Sequence, residues 1–125
     1  MECGFSSEVI DGVELSRISV EGELDLTTVE LLEPHADAAI AAKRPVVVDL
    51  SRRLFMDSTG LRLILLIHQG LAETGELGVP MAVVARADGI KRLFSVTSLD
   101  KRIPVFACEQ EALRQLSENA RLRAS

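Results

Sequence analysis

The chain reads as an α/β fold: a mixed, mostly parallel β-sheet with about four α-helices, in one domain over residues 1–125. Three observations predict it. Short β-branched runs such as Val46–Leu50 alternate with amphipathic helical segments, the order that builds parallel sheets through helical crossovers. An Asp11-Gly12 pair separates two strand-like segments near the N-terminus and signals one antiparallel hairpin at the sheet edge. A length of 125 residues supplies one domain's worth of core and not two.

Each element has its own signal. Val13–Val20 alternates apolar and polar, with Val13, Leu15, Ile18 and Val20 apolar after one slip in phase, which predicts a strand with one wet face. Phe5–Ile10 is its expected hairpin partner. Thr27 and Glu30 have capping-box spacing, and Val29, Leu32, Ala36, Ala39 and Ile40 recur at helical intervals up to Lys43. Pro34 should bend or split that helix, and Pro45 ends it. Val46–Leu50 lacks alternation, as a strand buried on both faces does. After a basic loop at Ser51–Arg53, a second helix is expected from Asp57 or Ser58 to about Glu73, closing at Gly75. Then follow a strand at Val79–Ala85, a short helix at Ala87–Phe94 and a short strand at Ile103–Phe106. A closing helix spans Glu109–Leu122, with Ala112, Leu113, Leu116 and Ala120 inward.

Composition narrows the function. The chain is 47% hydrophobic and 26% charged, as globular domains are, yet it has four Phe and no Trp or Tyr. Aromatic platforms for stacking bases are therefore scarce, and a net charge of -5 repels a polyanion, so nucleic acid is not an expected partner. Cys3 and Cys108 lack the spacing of a metal site or disulfide framework, and are expected to be a terminal thiol and a small core hydrophobe. The N-terminal stretch MECGFSSEVIDG has no basic segment followed by an apolar one, and apolar runs such as Leu63–Ile67 are far too short to span a membrane. No membrane partner and a cytoplasmic location are expected.

The segment Phe55–Leu61, FMDSTGL, stands at a strand-to-helix junction. Asp57, Ser58 and Thr59 are all capping types, but one N-cap explains only one of them. Gly60 in a first helical turn costs about 1 kcal/mol relative to Ala, which suggests close approach by another backbone or a partner. A serine here is well placed for phosphorylation, since a helix N-terminus tolerates the added anion. In the helix that follows, Leu61, Ile64, Leu65 and His68 form one stripe, and Leu63, Leu66, Ile67 and Gly70 another. That apolar arc is too wide to cover one sheet face, so the second stripe either packs on neighbouring helices or forms an exposed patch beside Ser58.

With these residues the chain resembles the STAS domains, and within them the bacterial anti-sigma factor antagonists. GELDL at Gly22–Leu26, VVVDLSRRLFMDSTGLRLIL at Val46–Leu65 and IKRLFSVTSLDKRIPVF at Ile90–Phe106 follow the family's order and spacing, the middle block being the specific one. The resemblance makes Ser58, directly after Met-Asp, the phosphorylated residue. Thr59, where the family often has a second serine, is the lesser alternative. Asp25 matches the family's aspartate in the loop beside the site. The implied partner-binding set is Asp25, Asp57, Ser58, Thr59, Gly60 and Leu61, with aliphatic and backbone contacts around Gly60 and Leu61 as its hot spots. The family implies partner switching without catalysis, cofactor or metal. The unphosphorylated form binds an anti-sigma factor that is itself a serine kinase and makes it release a sigma factor. Phosphorylation breaks that contact, and a serine phosphatase restores it. A weak homodimer is compatible with this scheme.

Other readings fare worse. His35 and His68 lie in expected helices, and Ser58 has no glycine two residues before it, as a GxSxG elbow requires, so a hydrolase has no support. Neither phosphate-binding glycine motif is present. A receiver domain with Asp49 as phosphoacceptor would need a lysine by the last strand, where the chain has Arg102-Ile103-Pro104. The alternative within the resemblance is a STAS scaffold or accessory subunit of a membrane transport or sensory assembly. It is disfavoured by the short chain and by the phosphorylatable serine after Met-Asp.

Overall fold

In the computed structural model, which describes residues 1–124, Asp11 and Gly12 both have positive φ (50° and 80°). A type I′ hairpin turn requires that backbone. The turn joins β1 (Glu2–Ile10) to β2 (Val13–Leu24) in an antiparallel pair that runs from Ile10 opposite Val13 to Glu2 opposite Glu21. The chain continues through α1 (Val29–Ala42), β3 (Val46–Asp49), β4 (Leu54–Met56), α2 (Ser58–Ala72), β5 (Met81–Val84) and α3 (Asp88–Val96). A 3₁₀ turn at Leu99–Lys101, β6 (Val105–Phe106) and α4 (Glu109–Ala124) complete it. The sheet order is β1-β2-β3-β5-β6, with β4 on the far end of β2, and every pairing except β1 with β2 is parallel.

Both faces of the sheet are covered. Ile18, Val20, Val46, Val48 and Val83 join Leu32, Ile64, Ile67 and Phe94 in a core beneath α1, α2 and α3. Leu15, Val47, Ala82 and Val84 point the other way, onto Ala112, Leu113 and Leu116 of α4. The phase slip in β2 is therefore a change of face, and α4 covers the face that alternation left wet. Each such aliphatic side chain, fully withdrawn from water, stabilises the fold by about 1.5–3 kcal/mol. Ala120, expected inward, is only half-buried, and Cys108 is exposed and not a core residue.

Three local expectations change. The capping box does not form: Thr28 precedes α1 and makes no side-chain cap, because the Thr27 and Thr28 hydroxyls are engaged in the loop before the helix. Pro34 does not split α1, which runs unbroken from Val29 to Ala42. Pro34 and Glu30, whose carbonyl loses its amide partner, are both exposed, so water can serve that carbonyl. Leu54–Met56, between the expected basic loop and the expected helix and given no element of its own, is a strand paired with Gly22–Leu24.

The second stripe of α2 packs on its neighbours. Leu63 and Ile67 are buried, and Gly70 lies against Ile40 of α1. Leu66 alone of that stripe is an exposed large hydrophobic.

Candidate functional site

The site forms where β2 and β4 end and α2 begins. Asp57 has extended backbone (φ −104°, ψ −172°), which places its carboxylate under the first turn of α2. Its Oδ1 accepts from the Thr59 amide at 2.9 Å and the Gly60 amide at 3.2 Å. The Leu61 amide donates to the Asp57 carbonyl at 3.1 Å, and the Asp57 amide donates to the Leu24 carbonyl at 3.3 Å. Asp57 thus caps the helix and pins it to β2.

Ser58, the first residue of α2, is exposed, and among the described residues its hydroxyl makes no hydrogen bond. Thr59 is half-buried. Gly60 and Leu61 turn inward: Leu61 is 4% exposed, and a Cβ on Gly60 would meet Leu24 and Met56. The close approach that Gly60 permits is therefore made by the chain's own β2, and neither residue offers surface to a partner.

Asp25 follows directly from the pinned end of β2. Its Oδ1 accepts from the Thr27 amide at 3.0 Å and the Thr27 hydroxyl at 2.7 Å, with the Thr28 hydroxyl at 3.2 Å. Hydrogen bonds from Thr27, and then Thr28, hold the Asp25 carboxyl below its ordinary pKa. Thr28 also donates to the Glu23 carbonyl at 2.6 Å and accepts from the Asp25 amide at 3.0 Å. The aspartate shapes the loop that borders Ser58.

Two site neighbours were not in the expected set. Leu26 is 74% exposed and Phe55 is 63% exposed, one on the Asp25 loop and the other on β4 opposite Glu23. Together they place apolar surface on the loop after β2 and on β4, the segments that adjoin the start of α2. Phe55 was detectable in principle, since it alternates with inward Leu54 and Met56. An open cleft of about 570 Å³ beside Phe55 is lined by Glu2, Glu21 and Glu23 against a single Arg53, a poor match for nucleotide phosphates.

Remote candidates lie apart from this surface. Asp49 is buried, paired with Arg17 at 2.5 Å and bonded by the Ser51 amide at 2.9 Å and the Ser51 hydroxyl. Arg17 also pairs with Glu109 of α4. His68 is ten residues along α2 from Ser58, about 15 Å at helical rise, too far to serve that hydroxyl as a base. Among the described residues no group of three or more His, Cys, Asp or Glu side chains is placed to hold a metal, and no helix is long and apolar enough to cross a membrane.

The family model for the STAS domain matches residues 5–112. This chain is a STAS domain of the anti-sigma factor antagonist family. Over 107 residues it is 31% identical to the anti-sigma-F factor antagonist RsfB of Mycobacterium tuberculosis, covering 84% of each chain. The anti-sigma F factor antagonist of Paenibacillus polymyxa is 33% identical, with 84% of this STAS domain and 87% of that chain covered. An anti-sigma factor antagonist from Mycobacterium paratuberculosis has a crystal structure that superposes with a TM-score of 0.77 at 31% identity, over 93% of this chain and 95% of that one. The Bacillus cell fate determinant SpoIIAA, in its phosphorylated form, shares the fold with a TM-score of 0.63 at 22% identity, over 90% and 98%. The four helices and the mostly parallel mixed sheet of this STAS domain are thus a SpoIIAA-like fold.

Proposed function

We propose that this STAS domain is an anti-sigma factor antagonist that acts in the cytoplasm by partner switching and catalyses nothing itself. Unphosphorylated, it binds an anti-sigma factor that is a serine kinase, and the bound kinase releases its sigma factor. The kinase transfers the γ-phosphoryl group of ATP to the Ser58 oxygen; ADP leaves, and the hydroxyl proton passes to a base of the kinase. The complex then dissociates, and a serine phosphatase returns Ser58 to its hydroxyl form. Thr59 is the lesser alternative acceptor.

The observation that carries this reading is the setting of Ser58. Its hydroxyl is exposed and unengaged, it sits on a helix start capped by Asp57, and exposed apolar side chains stand on the adjoining segments, Leu26 just after β2 and Phe55 on β4. An interface laid over a small hydroxyl and apolar neighbours is spoiled by a group that brings about −1.5 to −2 charge and must keep its hydration. The names of the curated relatives support the same reading.

The test is to incubate the protein with a candidate anti-sigma kinase and ATP, then locate phosphate by peptide mass spectrometry. Label is expected on Ser58, and Ser58→Ala should abolish it; undiminished labelling of that variant would overturn the site. Ser58→Asp should weaken kinase binding at least about tenfold, or ~1.4 kcal/mol. Unchanged binding, with a stable self-assembly indifferent to the substitution, would point instead to a scaffold role.

A further inference from the structure

We propose that Arg62 is the intramolecular counter-charge for a phosphate on Ser58, pairing with it along α2 and so leaving the surface that a partner contacts. This rests on the reading of Ser58 as the modified residue.

Of the four amides at the start of α2, only that of Ser58 itself is left for the phosphate. The amides of Thr59 and Gly60 are taken by the Asp57 carboxylate, and that of Leu61 by the Asp57 carbonyl. A phosphoryl group at Ser58 therefore inherits none of those three donors and stands next to an existing carboxylate. Its charge of about −1.5 to −2 needs another partner.

Arg62 is placed to be that partner. Gly60 and Leu61 turn into the core, while Ser58, Arg62, Leu66 and Gln69 form the exposed stripe of α2. Residues four apart are neighbours on a helix, and helical side chains lean toward the N-terminus, which carries the Arg62 guanidinium toward Ser58. An anion four residues before a cation is also the favourable order. The guanidinium fork matches phosphate oxygens two at a time. Among the described residues Arg62 has no ion pair or hydrogen bond to give up.

The other arginines at this end are less suitable. Arg52 is already paired with Glu21 at 3.6 Å. Arg53 lies at the entry of β4, three residues or about 10 Å before Met56. Modification thus changes two things at once: Ser58 gains an anion, and the free cation one turn away is withdrawn from any acidic partner.

The test uses the full chain with phosphoserine encoded in place of Ser58, so that no kinase is needed, and follows the phosphorus resonance against pH. The second ionisation of phosphoserine, ordinarily near about 6, should lie about 0.5 unit lower in the parent than in Arg62→Gln, an approximately threefold weaker hold on the last proton. The difference should shrink at about 1 M salt, and Arg53→Gln should leave the ionisation unchanged. Equal ionisation in the parent and Arg62→Gln, or a shift that follows Arg53 instead, would overturn the pairing. Because the phosphate is installed directly, these outcomes are independent of the kinase labelling of Ser58, whose failure would remove the modification site alone.

Discussion

A Cβ atom on Gly60 would lie 2.7 Å from the carbonyl oxygen of Leu24 and 2.8 Å from its Cγ, so the start of α2 and the end of β2 meet at a separation only glycine permits. Gly60→Ala must push the strand end away or tilt the helix. The expected cost is about 1–3 kcal/mol, read as a lower urea midpoint at unchanged slope. A midpoint equal to the parent's would mean that the junction yields freely.

Asp57 tests the same junction from the other side. Asp57→Ala removes the acceptor for two helix amides and should cost about 1 kcal/mol, roughly 4 °C in melting temperature for a domain of this size. Asp57→Asn keeps a capping oxygen and should recover most of that loss. Equal loss in both variants would assign the effect to charge and not to the cap.

The pair of Arg17 with Asp49 makes a larger prediction. Asp49 has a side chain only 4% exposed, and Arg17 is its counter-charge. Arg17→Met should cost about 3 kcal/mol by stranding a buried carboxylate, and Asp49→Asn added to it should restore much of the loss. With Asp49 so engaged by Arg17 and Ser51, acetyl phosphate with magnesium should leave it unlabelled; labelling there would revive the receiver-domain reading.

His68 predicts a pH dependence. Burial, and then the charges of Arg102 and Arg123, hold its imidazole pKa below the ordinary 6.5. The folded state therefore favours the neutral ring, and as pH falls the unfolded chain takes up the proton first. The stability contributed is complete above about 6.5 and is lost as pH drops toward the lowered folded value. His68→Gln should flatten the fall in stability between about pH 7 and 5 relative to the parent; parallel curves would refute the assignment.

Ser16 offers a gain. Its Oγ is the buried side-chain polar atom that, among the described residues, lacks any hydrogen-bond partner. Ser16→Ala should raise stability by about 1 kcal/mol by removing a desolvated, unsatisfied hydroxyl. A loss of that size would show that the hydroxyl is satisfied in solution.

What could be read before folding, and what could not, divides along physical lines. The α2 start at Ser58 was legible because its determinants, Asp57 and the apolar periodicity that follows, are local. The hairpin was legible for the same reason, since a turn with two positive φ values announces itself as Asp-Gly. β4 was not, because three residues become a strand only by pairing with Gly22–Leu24, a partner more than 30 positions away. The capping box failed because the helix starts after Thr28 and not after Thr27, and the Thr28 oxygen already accepts from the Asp25 amide, which spacing alone does not reveal. Within the candidate site, Ser58 was singled out from its motif, but the inward turn of Gly60 and Leu61 and the exposure of Leu26 and Phe55 depend on where β2 ends in space.

The unequal support along β2 has a consequence for motion. Ser16–Ser19 is flanked by β1 on one side and β3 on the other, whereas Gly22–Leu24 is held by the three residues of β4. Amide hydrogens along one continuous strand should therefore exchange on different timescales, those in the middle only through global unfolding and those of Leu24 and Met56 through a local opening of lower free energy. The end of the domain that carries Ser58 can open while the sheet stays closed.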